Sequence, residues 1–105
     1  MAVRVSKDDF EEKVLKNALP VVVDFYSDSC IACKKLAPLL GDLEDNFEGK
    51  LEVVKVNTNF DSDLALEYDV MSNPTILLFK DGEVKDRNIG VLPYKDLEDW
   101  ILQQI

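Results

Sequence analysis

The run Val21-Val22-Val23-Asp24-Phe25-Tyr26, opened by Pro20, constrains this 105-residue chain more than any other segment. It is β-branched and aromatic and too continuous for a strand with one face in water, so it predicts a central strand in a sheet covered on both sides. The exception inside it is Asp24. A carboxylate in the middle of an apolar strand is expensive to bury as an anion, and a raised pKa is the expected result.

Around that strand the chain alternates in type. Val3–Val5 reads as a short strand, and Ser6-Lys7-Asp8-Asp9 reads as a helix N-terminal cap with a carboxylate three residues on. A first helix to about Lys16 then carries Phe10, Val14 and Leu15 as an apolar stripe. Lys34 to Phe47 has Leu36, Leu39, Leu40 and Leu43 at helical spacing, with Pro38 predicting a kink. Leu51 to Asn57 is rich in β-formers and reads as a second buried strand, and Ser62 is placed to cap a short helix through Tyr68. Thr75–Phe79 and Glu83–Lys85 flank Asp81-Gly82, a hairpin signal. Pro93 suits the first position of a last helix to Ile105, where Leu97, Trp100, Ile101 and Gln104 share a face. The order β-α-β-α-β-α-β-β-α predicts an α/β fold: parallel connections first, an antiparallel hairpin last, and a mixed sheet flanked by helices on both faces.

Both cysteines, Cys30 and Cys33, fall in one Cys-X-X-Cys between the central strand and the following helix. The strand delivers Cys30 to a helix mouth, where unpaired N–H groups and the positive dipole end favour a thiolate. Cys33 follows one turn later, so a thiolate at Cys30 can attack a disulfide and Cys33 can resolve the mixed disulfide, a reversible two-electron dithiol. Two other readings stand beside this one. A structural staple would close too short a loop to remove much chain entropy. Two thiolates are also half of many zinc sites, but with no histidine and no third cysteine the other half would have to come from carboxylates or a second subunit.

Composition narrows the classes. With 47% hydrophobic and 31% charged residues the chain fits one soluble domain, residues 1–105, able to bury a core. A net charge of −9 makes nucleic acid an unexpected partner, and its acidic runs read as solvated faces and helix starts. Met1 to Asp9 lack the basic start and apolar run of a signal peptide, and no stretch is long enough to span a bilayer. The expectation is a cytoplasmic protein with no membrane partner.

Asp24-Phe25-Tyr26, Cys30-X-X-Cys33-Lys34, Ala37-Pro38, Asn73-Pro74-Thr75, Phe79-Lys80-Asp81-Gly82 and Gly90 follow one another in the order and spacing of the thioredoxin family, which the chain resembles essentially end to end. The resemblance implies protein-disulfide reduction by dithiol exchange, with Cys30 as the exposed nucleophile and Cys33 as the buried resolving thiol. It implies that Asp24 assists proton transfer at Cys33, accompanied by Lys55; a simple buried Asp24–Lys55 pair is the alternative. It matches Pro74 to a cis-proline that would turn the Asn73 backbone toward the active site to pair with an extended substrate segment; a turn proline is the plainer reading. Ile31, Ile89 and Gly90 would complete the substrate-docking surface, with ordinary loop packing the competing explanation for Ile89. No cofactor is implied beyond the cysteine pair itself. The implied partners are protein disulfides and a flavin-dependent thioredoxin reductase, with the chain acting as a monomer.

The family's Trp-Cys-Gly-Pro-Cys is Ser29-Cys30-Ile31-Ala32-Cys33 in this chain. An aromatic wall and a rigid first-turn proline are therefore gone. No histidine separates the cysteines, so the helix terminus, with Lys34 or Lys35, is left to favour the Cys30 thiolate, and a reductant is expected rather than an oxidant or isomerase. Asn73 replaces the usual aliphatic residue before the cis-proline and presents a polar side chain to substrate. An interaction module without catalysis and a metal-bridging dimer are the other classes compatible with the fold.

Overall fold

The computed structural model describes residues 2–105; Met1, at the head of the segment read for a leader, lies outside them. Five strands form one sheet: β1 (Val3–Arg4), β2 (Val21–Tyr26), β3 (Glu52–Asn57), β4 (Thr75–Lys80) and β5 (Glu83–Ile89). They lie in the order β1-β3-β2-β4-β5, so the continuous apolar strand is the central one. β1 and β2 both run parallel to β3, while β4 is antiparallel to β2 and to β5. A chain of this pattern must cover both faces of its middle strands, and three helices and one short helical turn do so: α1 (Ile31–Asn46), α2 (Ser62–Glu67), α3 (Tyr94–Gln104) and a π-helical segment at Glu11–Leu15.

The period of two along β2 sorts its residues between two cores. Val21, Val23 and Phe25 join Val54, Val56, Leu77 and Phe79 under the π-helical segment and α2, which contribute Phe10, Val14, Leu64 and Ala65. Val22 joins Val53, Ile76 and Leu78 under α1 and α3, which contribute Leu36, Leu40, Leu43, Leu97 and Ile101. Asp24 shares the parity of Val22, which turns it to the α1 face, and its register neighbours are Lys55 on β3 and Ile76 on β4.

Several local expectations are corrected by tertiary contacts. The first helix is a single π-type turn, closed by the Lys16 N–H donating to the Glu11 carbonyl at 2.9 Å. At its approach Asp9 Oδ1 accepts the Ser6 N–H (2.6 Å), but the Ser6 hydroxyl donates to the same carboxylate instead of capping the helix. Ser62 is the first residue of α2, and Asp61 occupies the cap position with its carboxylate taken by the Lys7 N–H at 3.1 Å. Pro93 precedes α3 as its cap, with φ −56° and ψ 151°, so Tyr94 opens the helix. α1 starts at Ile31, three residues before the periodic run, and continues through Pro38 to Asn46. The hairpin forms as expected: Asp81 and Gly82 both adopt positive φ, 54° and 79°, the pair a type I′ turn requires.

Candidate active site

The C-terminal ends of β2 and β3, the start of β4 and the end of β5 meet at one end of the sheet, and the expected site residues gather there. β2 ends at Tyr26, and a short loop leads to Cys30, the cap residue of α1. Cys30 has extended backbone, φ −85° and ψ 112°, and its Sγ accepts the Cys33 N–H at 3.1 Å. A sulfur at this position receives one of the unpaired first-turn amides and faces the positive end of a four-turn helix, both of which favour negative charge on it. The two cysteines are joined as a disulfide in this structure, with Cα atoms 5.2 Å apart. Cys30 is half-buried, whereas Cys33 is only 5% exposed, so an incoming protein reaches Cys30 first.

Pro74 begins the antiparallel approach of β4: Thr75 pairs with Phe25, which places Pro74 beside the end of β2 and the loop to Cys30. The Asn73–Pro74 peptide is cis. Ile89 pairs with Thr75, and the Gly90 N–H donates to the Pro74 carbonyl at 2.9 Å, so the end of β5 flanks the same loop. Ile31 and Ile89 are 71% and 64% exposed, and Met71, two residues before Asn73, is 89% exposed. These exposed apolar side chains, on the start of α1, the end of β5 and the approach to Pro74, are surface suited to a protein partner. Met71 was not singled out in the sequence, where a lone methionine before a turn carries no pattern.

Beside Cys33 lies a cavity of about 200 Å³ lined by Asp24, Tyr26, Asp28, Cys33, Lys34 and Lys55. Asp24 is 5% exposed and its Oδ1 has no hydrogen-bond partner. Burial pushes its carboxyl up to about 7, against an opposing pull from the Lys55 charge. Lys55 forms no direct ion pair with Asp24 among the described residues; its Nζ stands 5.5 Å from the centre of the Tyr26 ring instead. Asp24, Lys55 and Cys33 thus line one cavity, with the lysine charge acting on a carboxyl that burial has raised. A larger cleft, about 810 Å³, opens at the opposite end of the sheet among Leu19, Gly49 and Glu52 and contains none of these groups.

One feature of the site had no counterpart in the sequence reading. The turn Asn57-Thr58-Asn59, at the end of β3, ties three loops together. Asn57, 2% exposed, donates from Nδ2 to both Asp28 carboxylate oxygens at 3.2 and 3.3 Å, and Asn59 Oδ1 accepts the Asp28 N–H at 3.4 Å. The Thr58 N–H and hydroxyl both donate to the Tyr26 carbonyl, at 2.8 and 3.0 Å, while Thr58 Oγ1 accepts from Asn73 Nδ2 at 3.2 Å. The signal available was the Asn-Thr-Asn cluster at a strand end, a common turn composition that does not say which loops it will meet.

The family model described as Thioredoxin matches residues 1–103. The chain is 40% identical to the thioredoxin of Rickettsia felis over the whole of both chains. It is 37% identical to thioredoxin C-2 of Corynebacterium nephridii over 98% of this chain and 95% of the relative. Thioredoxin 1 of a Nostoc species is also 37% identical, over 95% and 94% of the two chains.

Proposed function

This chain belongs to the thioredoxin family and is a thiol-disulfide oxidoreductase acting on protein disulfides, and from that premise we propose that Cys30 is its nucleophile and Cys33 its resolving thiol. The Cys30 thiolate attacks one sulfur of a client disulfide, forming a mixed disulfide and releasing the client's other sulfur as a thiolate. Cys33 then gives up its proton and attacks Cys30 Sγ, which releases the second client sulfur and leaves the Cys30–Cys33 disulfide. Two electrons pass to the client, and the exchange itself needs no further cofactor. The observation that carries this assignment is the unequal placement of the two sulfurs: Cys30 at the mouth of α1 with an amide directed at it, Cys33 buried behind it.

Asp24 is the proton acceptor for Cys33 in this reading. Both line the same small cavity, and a carboxyl with a pKa of about 7 exchanges protons readily at neutral pH, where an ordinary one stays ionised. Lys55 tunes it from the adjacent strand. Asn73, Pro74, Ile31, Ile89 and Gly90 dock the client, with the backbone before Pro74 offering an edge for an extended segment. The oxidised pair is returned to the dithiol by a flavin-dependent thioredoxin reductase, and the chain works as a monomeric single domain in the cytoplasm.

Insulin reduction with two single variants tests the assignment. Cys30→Ser abolishes turnover and traps no client; Cys33→Ser traps a covalent mixed disulfide visible by non-reducing electrophoresis. A trapped complex with Cys30→Ser and none with Cys33→Ser would reverse the roles.

A further inference from the structure

The hydrogen-bond chain Asn73–Thr58–Tyr26 runs in one direction in this structure. The Tyr26 carbonyl accepts the Thr58 N–H at 2.8 Å and the Thr58 hydroxyl at 3.0 Å. With its proton directed to Tyr26, Thr58 Oγ1 accepts from Asn73 Nδ2 at 3.2 Å, so the NH₂ end of Asn73, not its oxygen, faces Thr58. Asn73 Oδ1 is left without a protein partner among the described residues, yet it is not a buried unsatisfied atom, so it is open to solvent. The residue stands immediately before Pro74, beside the loop that carries Cys30.

We propose that Thr58 is a positioning residue for client selection: it locks Asn73 with its carbonyl oxygen outward, so the docking edge prefers disulfides flanked by side chains that donate a hydrogen bond. The inference rests on the docking role of Asn73 given above and adds the chemistry that role selects. A free carboxamide satisfies donors and acceptors alike by turning over; a locked one accepts only, and a client that cannot donate strips water from Oδ1 without replacing it. The net charge of −9 works in the same direction for donors that are cationic.

The test uses the reduced protein and two homodimeric peptide disulfides of the form Ala-X-Cys-X-Ala, with X as Gln or as Met, neutral side chains of similar length. Single-turnover rates are normalised to the rates of the same peptides with dithiothreitol. The Gln dimer is expected to react about two- to tenfold faster than the Met dimer, the range one neutral hydrogen bond supplies. Thr58→Ser keeps that ratio. Thr58→Val, which retains the backbone Thr58–Tyr26 bond but frees the carboxamide, brings it close to one, and Asn73→Leu does the same should the valine variant fold poorly. Equal normalised rates in the unsubstituted protein, or a ratio that survives both Thr58→Val and Asn73→Leu, overturns the proposal while leaving the exchange mechanism intact. Reaction with neither dimer overturns the assignment of the site itself, and the proposal with it.

Discussion

Replacing Asp24 with alanine should stabilise this protein at neutral and alkaline pH but not in acid. The carboxyl titrates near 3.8 when exposed and near 7 when folded, because burial raises it more than Lys55 lowers it. Between those two values the folded state holds a proton that the unfolded chain has lost, so stability falls as pH rises through the interval and levels off above about 7. At about 1.36 kcal/mol per decade, the span from 3.8 to about 7 amounts to roughly 4 kcal/mol of destabilisation at neutral and alkaline pH. Below the unfolded value both states are protonated and this contribution vanishes. Alanine has no proton to exchange and leaves a small void, which costs a pH-independent amount. The assay is urea unfolding of both proteins in the oxidised state from pH 4 to 9. The difference, variant minus unsubstituted protein, should be small or negative at pH 4, rise in favour of the variant toward pH 7, and then stay flat. Two parallel curves across that range would refute a buried carboxyl with a raised pKa. The same variant should slow client release from the Cys30 mixed disulfide, since Cys33 would lose its proton acceptor.

Other consequences are open to measurement. Cys30 in the reduced protein should be alkylated by iodoacetamide with an apparent pKa below the roughly 8.5 of a free thiol, with Cys33 reacting only after unfolding; an unshifted Cys30 would show that the helix mouth contributes nothing. The equilibrium potential of the pair, read by thiol trapping against dithiothreitol, is expected near the roughly −270 mV of reducing relatives, and a value near −180 mV would recast the chain as an oxidant or isomerase. Phe79→Ala removes the ring that meets Phe10 and Tyr68 edge-on at centroid distances of 5.6 and 5.3 Å, and should cost about 3–5 kcal/mol in chemical denaturation. Gly82→Ala should cost about 1 kcal/mol or more, because the residue sits at φ 79° and a Cβ would stand 3.1 Å from the Leu15 carbonyl; an unchanged unfolding midpoint would count against the turn as described.

The sequence by itself determined the elements whose causes are local. Unbroken apolarity from Val21 to Phe25 identifies a strand buried on both faces, because no other arrangement keeps both sets of side chains from water. Asp81-Gly82 specifies its turn because few residue pairs tolerate two positive φ values, and Cys30 lands at a helix mouth because a strand and a leucine-spaced helix bracket it. Asp24 was legible as a perturbed acid for the same reason: its neighbours in the chain already establish its burial. Only the tertiary structure decided what depends on which distant segments meet. Strand order β1-β3-β2-β4-β5 brings Tyr26, Thr58 and Asn73 together across separations of 32 and 15 residues, and no periodicity records hydrogen bonds of that kind. At the start of α2 the Asp61 carboxylate accepts the amide of Lys7, 54 positions away, instead of capping its own helix. Side-chain periodicity reports on the surface a residue faces, whereas the direction of a polar contact is set by the partner that the fold delivers, and that partner is known only once the sheet is assembled.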